Sequence, residues 1–277
     1  MERTEHVLDG IFAYRYRDAD PDHTLLICHG MGGHGGIYDV FGEHYARTAR
    51  GDVWSIDLPG FGRTAGTGRR GSFTAAGWIE ATAACAARLR DATGRPVVAK
   101  GSSLGVFPAS GALLSSDAVA AAVLMGYAFA GAQTLVPGSP PSPFATDAGQ
   151  EILRQWGTSC VLKLDRFIDF DADYGFAGAA AEKRRDPLNT WELDLASLAS
   201  LYTYEPPVPI AGNDKPILFT VGENDTLAPP ALVRAVAERI PGPVECYELP
   251  GGVHQLMLFH TAAYSAVVRD FVERTVL

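Results

Sequence analysis

The chain has 277 residues, of which 47% are hydrophobic and 20% are charged, and 23 Lys plus Arg against 32 Asp plus Glu give it a formal net charge of −9. A disordered chain would be poorer in apolar residues, and a nucleic-acid-binding protein would carry a basic surplus to neutralise phosphates. The composition therefore excludes both classes. The length predicts one or two globular domains with a sizeable core.

The four cysteines are scattered, with no CxxC pair: Cys28, Cys85, Cys160 and Cys246. This spacing argues against a zinc site and against a disulfide-rich scaffold, so we expect free thiols in a reducing compartment. Residues 1–6 lack an apolar signal core, and the longest apolar run, about residues 118–132, is shorter than the roughly 20 residues that span a bilayer. These features predict a soluble, cytoplasmic protein without membrane insertion.

Short β-rich runs alternate with longer helical patterns along the chain. The predicted strands are 24–28, 53–57, 96–99, 119–125, 217–221 and 244–249, and the predicted helices are 73–93, 104–114, 230–240 and 261–276. Residues 7–16 alternate polar and apolar side chains around Asp9-Gly10, which predicts an antiparallel edge hairpin. The alternation predicts an α/β fold with a mostly parallel sheet that is covered by helices on both faces.

Residues 128–210 break this alternation and are bordered by proline-rich stretches at 137–143 and 206–209. Such stretches disfavour both helix and strand. We therefore predict a core of residues 1–127 and 211–277, with a helical lid inserted at 128–210. The insertion holds 11 acidic and 6 basic residues and many aromatic ones. This composition favours an aromatic-lined pocket under an acidic cover that disfavours a strongly anionic substrate, although the aromatic residues could equally form the lid's own core.

The segment Gly101-Ser102-Ser103-Leu104-Gly105 matches the nucleophile-elbow pattern GxSxG, in which a sharp strand-to-helix turn exposes a serine hydroxyl. Here it follows a Val-rich strand and begins a run that is compatible with a helix. Ser103 is the predicted nucleophile. The alternative is a plain Gly-Ser turn, because the pattern alone has low specificity.

A serine nucleophile needs a histidine base that is oriented by a carboxylate, and in this structural setting the chain order is Ser, acid, His. Asp225 follows the strand at 217–221, and His254 follows the last predicted strand. Two alternatives stay open for the acid: Asp225 could cap the next helix, and Glu223 is the nearest rival carboxylate. His260 is the nearest rival base.

An acyl-transfer centre also needs two backbone N–H donors for the developing oxyanion. The Leu104 amide, directly after the nucleophile, is one expected donor. The second is expected from the glycine-rich loop at 29–36. A phosphate cradle is disfavoured there because GxxxxGK[ST] is absent.

With the elbow, the His29-Gly30 loop, the stretch at 57–64 and the two segments ending in Asp225 and His254 in order, the sequence resembles the α/β-hydrolases. His29-Gly30-Met31-Gly32-Gly33-His34 followed by Tyr38 resembles the monoacylglycerol lipase and esterase group. The resemblance implies that the Met31 amide is the second oxyanion donor. Two departures are Gly33, where the group has Glu, and the sequence of the elbow itself.

These observations predict a serine hydrolase that cleaves a carboxylic ester of a medium-sized hydrophobic compound and uses neither a metal nor an organic cofactor. The expected partner is a small-molecule substrate. Five residues are predicted to contact it: His29, Gly30, Ser102, Tyr127 and Trp156. Hydrolysis of an amide, a thioester or a C–C bond on the same triad is the alternative reading. A non-catalytic ligand-binding protein on the same scaffold is another.

Overall fold

A computed structural model describes residues 3–130, 142–208 and 210–277. Its centre is an eight-stranded sheet with the spatial order β1-β2-β4-β3-β5-β6-β9-β10. Its strands in chain order are β1 (Thr4–Leu8), β2 (Ile11–Tyr16), β3 (His23–Cys28), β4 (Gly51–Ile56), β5 (Val97–Ser102), β6 (Val119–Met125), β9 (Ile217–Gly222) and β10 (Val244–Leu249). Strands β7 and β8 belong to the insertion.

The sheet is mixed but mostly parallel. Strands β1 and β2 form the predicted edge hairpin, which turns at Asp9 and Gly10, both at positive φ (49° and 89°) as a tight hairpin turn requires. Strand β2 pairs antiparallel with β4, and all later neighbours are parallel. The carboxyl ends of β5, β6, β9 and β10 therefore lie along one edge of the sheet, where α/β proteins place their ligands.

Among the described residues, six α-helices belong to the core of the fold: α1 (Asp39–Ala49), α2 (Ala75–Thr93), α3 (Val106–Ser115), α8 (Pro230–Ala237), α9 (Leu256–Phe259) and α10 (Thr261–Thr275). Both ends of α2 are capped: Thr74 Oγ1 accepts a hydrogen bond from Gly77 N (3.0 Å), and Gly94 ends the helix at φ 67°. Helices α1 and α9 were not predicted from the sequence.

Alternate residues of each strand point to opposite faces of the sheet and build two cores. Leu25 lies in one core with Phe41 of α1 and Phe271 of α10. The next residue, Leu26, lies in the other core with Trp78 of α2. Both faces are thus buried, which is why the central strands are continuously apolar rather than alternating.

The described part of the insertion between β6 and β9 contains four α-helices: α4 (Asp147–Trp156), α5 (Phe170–Tyr174), α6 (Ala179–Lys183) and α7 (Leu195–Thr203). A small antiparallel pair, β7 (Val161–Lys163) with β8 (Glu192–Asp194), was not predicted. We call residues 142–208 the cap. Most of the proline-rich stretch predicted at 137–143 falls outside the described residues.

All four cysteines are free thiols in the structure, and two of them, Cys28 and Cys85, are buried. In the three described ranges no helix is both long enough and apolar enough to cross a bilayer.

Candidate active site

Ser103 stands immediately after β5, in a short 3-10 turn (Ser103–Gly105) that leads into α3. Its φ is 52°, a left-handed conformation that a residue with a Cβ adopts at an energetic cost. The two glycines of the motif are required by space: a Cβ on Gly105 would lie 2.2 Å from the Cys28 carbonyl oxygen, and one on Gly101 would lie 2.5 Å from Val106 Cα. The predicted nucleophile elbow is thus present in its geometry.

A fully buried lysine supports the elbow from behind. Lys100 Nζ donates a hydrogen bond to the Gly101 carbonyl oxygen (2.7 Å), and burial lowers the pKa of this amine well below its ordinary value.

The structure brings His254 and Asp225 together. His254 Nδ1 donates to Asp225 Oδ2 at 2.7 Å, and Asp225 Oδ1 accepts two backbone N–H groups, from Leu227 (2.9 Å) and Ala228 (2.8 Å). These bonds fix the carboxylate, which in turn fixes the imidazole with its Nε2 free to accept a proton. Glu223 is directed elsewhere, because its Oε2 accepts a hydrogen bond from Gly251 N.

Burial and two carboxylates dominate the protonation of His254. Burial lowers its pKa, but the hydrogen bond and charge of Asp225 together with the charge of Asp173 outweigh burial, so the pKa is raised above its ordinary value. An imidazolium is therefore well stabilised here. This is the form that a base takes after it removes a proton from a serine.

The glycine-rich loop passes directly over the nucleophile. A Cβ on Gly30 would lie 3.2 Å from both Ser102 O and Ser103 Cβ, so the loop can approach this closely only with glycine. Leu104 and Met31, the two predicted oxyanion donors, both line the same cavity as Ser103.

Buried polar groups hold this loop in place. His29 Nδ1 donates to Gly30 O (2.8 Å) while its Nε2 accepts from Leu58 N (3.1 Å). Burial lowers the pKa of His29 to about 3, so the ring is neutral as this bonding requires. Asp57 Oδ1 accepts from Gly35 N at 2.7 Å.

The cap also holds the loop. Thr190 N donates to Gly32 O (3.0 Å), and His34 Nε2 donates to Asp186 Oδ2 (2.7 Å). The loop that carries Met31 is therefore fixed between the sheet and the cap.

A cavity of about 1910 Å³ lies between the sheet edge and the cap, and Ser103 and His254 both open into it. Its wall is largely apolar and draws on both parts of the protein: Met31, Phe107, Tyr127, Phe129, Ile168, Phe170, Tyr174, Leu198, Leu201, Tyr202, Tyr204, Leu227 and Leu232. The lid aromatics thus serve both purposes considered above, since several of them line the cavity while Trp191 and Phe170 pack on each other within the cap.

The predicted substrate-contacting residues fall into two groups. Gly30 and Tyr127 line the cavity. His29 and Ser102 do not, because both side chains are buried behind the wall. The prediction that Trp156 contacts the substrate is not supported either. Its side chain is 58% exposed at the end of α4 and does not contribute to the cavity wall.

Sequence reasoning missed a second carboxylate in the site. Asp173, on α5 of the cap, is 8% exposed, and its Oδ1 lies 3.8 Å from His254 Nε2. Gln255 Nε2 donates to the same oxygen at 2.5 Å. Burial raises the pKa of Asp173, against the opposing effects of His254, Gln255 and Lys183. Asp169 is exposed, as expected of an acidic cover, whereas Asp173 is buried.

Lys183, on α6, was also missed. Its side chain is 7% exposed, lines the cavity and donates from Nζ to Asn189 Oδ1 at 2.8 Å. Burial lowers its pKa to about 8, although Asp173 and Asp186 act in the opposite direction. Within the described ranges no three His, Cys, Asp or Glu side chains are grouped so that they could hold a metal ion.

Solved structures with the same architecture are α/β-hydrolases. A monoacylglycerol lipase from Paleococcus ferrophilus matches with 18% identity and a TM-score of 0.68 over 99% of this chain and 100% of that one. A carboxyl esterase from Bacillus coagulans in complex with glycerol matches with 16% identity and a TM-score of 0.75 over 100% and 99%. A monoglyceride lipase variant from Saccharomyces cerevisiae matches with 15% identity and a TM-score of 0.71 over 100% and 96%. At these identities the likeness shows the fold, which is that of an α/β-hydrolase.

The family can be stated more narrowly. Residues 19–259 match the family Hydrolase_4, described as serine aminopeptidase, S33, and the chain belongs to this family. A search of curated proteins finds no match. The expected resemblance to α/β-hydrolases is confirmed.

Proposed function

We propose that this protein is a serine hydrolase that cleaves a carboxylic ester of a medium-sized hydrophobic compound through an acyl-enzyme. One observation carries the proposal. The imidazole of His254, held by Asp225 at 2.7 Å, opens into the same apolar cavity as Ser103 at its strained elbow. That arrangement supplies a nucleophile, a base and a water-poor binding volume together.

In the proposed reaction, Ser103 Oγ attacks the ester carbon while His254 Nε2 takes the hydroxyl proton. The tetrahedral oxyanion accepts hydrogen bonds from the amides of Met31 and Leu104. Its collapse expels the alcohol, which takes the proton from Nε2. Water then attacks the acyl-enzyme by the same route, with His254 as base, and releases the acid and free Ser103.

The proposal also names the type of bond that is cleaved. The family description contains the word aminopeptidase, which makes amide hydrolysis the second candidate. The ester is favoured because the cavity wall is mainly apolar and three similar structures carry lipase or esterase names. Initial rates with p-nitrophenyl hexanoate and with leucine p-nitroanilide separate the two activities, since both release a chromophore.

Labelling with a fluorophosphonate probe tests the nucleophile. We expect one adduct, located on Ser103 by peptide mass spectrometry, that is lost in Ser103→Ala. The matched control is Ser102→Ala, which removes the adjacent buried hydroxyl and is expected to keep the label. An adduct on another serine, or none, contradicts the proposal.

A further inference from the structure

Among the described residues in the cavity wall, three side chains of the Asp, Glu, Lys, Arg and His types are buried: Asp173, Lys183 and His254. The other charged side chains of the wall, Glu205, Glu238 and Arg239, are exposed. The ester proposed above accounts for His254, but it gives Lys183 no function.

Lys183 has no ion-pair partner among the described residues. Its Nζ donates to the neutral amide oxygen of Asn189, and of its three N–H donors this uses one. The two carboxylates nearest in its electrostatic surroundings have other partners: Asp186 Oδ2 accepts from His34, and Asp173 lies against His254 and Gln255. In the described ranges no carboxylate oxygen lies within the 4.0 Å ion-pair limit of this ammonium.

Two aromatic rings keep the charge at this place without neutralising it. Nζ lies 5.4 Å from the ring centroid of Phe170 and 5.9 Å from that of Tyr174, distances at which a cation is attracted to a π face. Because a buried charge without an ion-pair partner is unfavourable, a structural role alone would be served better by an apolar side chain. An anion that enters the cavity would give Lys183 an ion-pair partner.

The lysine is also close to the reacting centre. Lys183 Cε lies 3.9 Å from the position that a Cβ on Gly32 would occupy, and Gly32 follows the proposed oxyanion donor Met31. A ligand with its carbonyl at Ser103 thus has Lys183 on the wall beside the oxyanion loop. A carboxylate in the same ligand would accept hydrogen bonds from the two remaining N–H groups of Lys183 Nζ.

We propose that the substrate is an ester that carries a carboxylate in addition to the scissile bond, and that Lys183 binds this carboxylate. The inference rests on the proposed function and names the substrate class of that site. It revises the expectation from composition that the acidic cap disfavours anions. Asp165 and Asp169, which contribute to that composition, are exposed outside the cavity.

The test compares p-nitrophenyl monoesters of adipic, pimelic and suberic acids with the same esters methylated at the free carboxyl. Shorter diacids are avoided because their carboxylate attacks its own ester. A second arm places the carboxylate on the alcohol, as the hexanoyl ester of 4-hydroxybenzoate against that of its methyl ester. A further ester, which ends in trimethylammonium instead of a carboxylate, tests whether Asp173 binds a cation.

We expect kcat/KM for at least one carboxylate ester to exceed that of its methylated partner by about tenfold or more, the size of a charged hydrogen bond. Lys183→Met should abolish this ratio, which compares two esters on the same variant and therefore does not depend on the overall rate of that variant. Lys183→Arg should retain the preference, and the matched control Lys163→Met, which alters an exposed lysine of the cap, should not change it. A ratio at or below one in both arms, a ratio that survives in Lys183→Met, or a preference for the cationic ester overturns the proposal.

Two further measurements test the carboxylate site independently of the folding of Lys183→Met and of the proposed hydrolysis. If Lys183→Met fails to fold by circular dichroism, Lys183→Gln, which keeps a donor for Asn189, replaces it with the same expected loss. Binding of monomethyl adipate to Ser103→Ala by calorimetry needs no turnover. Binding that weakens about tenfold or more with Lys183→Gln supports the carboxylate site even if the proposed hydrolysis fails, and absent or unchanged binding contradicts it.

Discussion

Replacing Gly30 by alanine perturbs the proposed oxyanion hole while leaving the triad intact. The added Cβ would lie 3.2 Å from Ser102 O and 3.2 Å from Ser103 Cβ, against 3.4–4 Å for an ordinary contact. The loop must therefore move away from the nucleophile by a few tenths of an ångström. The Met31 amide, one residue further on, moves with it.

The expected effect on rate follows from that displacement. Complete loss of one oxyanion donor lowers kcat about 100- to 1000-fold, and a small displacement weakens the hydrogen bond without removing it. We expect kcat to fall about 10- to 100-fold. The contact is mild for the fold, so the free energy of unfolding should fall by only about 1 kcal/mol, which lowers Tm by about 2–4 °C for a chain of this size.

The assay is steady-state hydrolysis of a p-nitrophenyl ester together with thermal unfolding. Gly212→Ala is the matched control, since its Cβ would meet no atom within 4 Å, and it should change neither quantity. Gly105→Ala is the opposite control, because a Cβ 2.2 Å from the Cys28 carbonyl oxygen cannot be relieved by side-chain motion and should destabilise the fold. A Gly30→Ala variant with wild-type kcat would refute the role of the Met31 amide.

Three further variants or conditions test the electrostatics of the site. Asp225→Asn should lower kcat about 10⁴-fold without unfolding the protein, because the amide no longer holds His254 with Nε2 free; near-normal turnover would exclude Asp225 as the orienting acid. Asp173→Asn removes a charge that raises the pKa of His254, so the acidic limb of the kcat/KM profile should move to lower pH, and an unmoved limb would show that Asp173 does not act on the imidazole. The preference for a carboxylate ester should fall as pH rises through the pKa of Lys183, about 8, where the ammonium, faced by Asp173 and Asp186, loses its proton; a ratio independent of pH between 7 and 10 contradicts the assignment.

Much of the core could be predicted because its signals are local. Strands β6 and β10 begin and end where the apolar runs predicted, and α2 is bounded by its own capping residues. The residues of the proposed triad follow strand ends, and parallel topology places such ends along one edge of the sheet. Order in the chain was therefore enough to bring His254 and Asp225 together.

The cap could not be predicted to the same depth, for two physical reasons. Helices α5 and α6 have five residues each, which is too short for a hydrophobic period to show which face is buried. Burial of Asp173 and Lys183 depends on the docking of the cap over the sheet, a long-range contact without a local sequence signal. The prediction for Trp156 was wrong for the converse reason: the many aromatic residues of the insertion suggested that it lines a pocket, but tertiary packing leaves it exposed.

His29 is a further residue whose role depends on tertiary contacts. It was expected to touch substrate, yet both of its ring nitrogens bond to backbone groups. A single backbone donor and a single backbone acceptor select one neutral tautomer, and the low pKa of the buried ring keeps that tautomer over the working pH range. In the proposed reaction, His29 therefore acts indirectly, because it fixes the position of Gly30.

Net charge by segment does not report the field inside the cavity. The insertion is acidic in sum, but Asp165 and Asp169 point to solvent, where charges are screened within about 10 Å at moderate ionic strength. Inside, Asp173 lies against His254, so its charge supports the imidazolium rather than filling the binding volume. Among the buried charged side chains described in the wall, Lys183 is then the one that has neither an ion-pair partner nor a place in the proposed triad. The acidic composition of the cap and a carboxylate-bearing substrate are thus compatible, because burial and pairing, rather than the sum of charges, decide what the cavity binds.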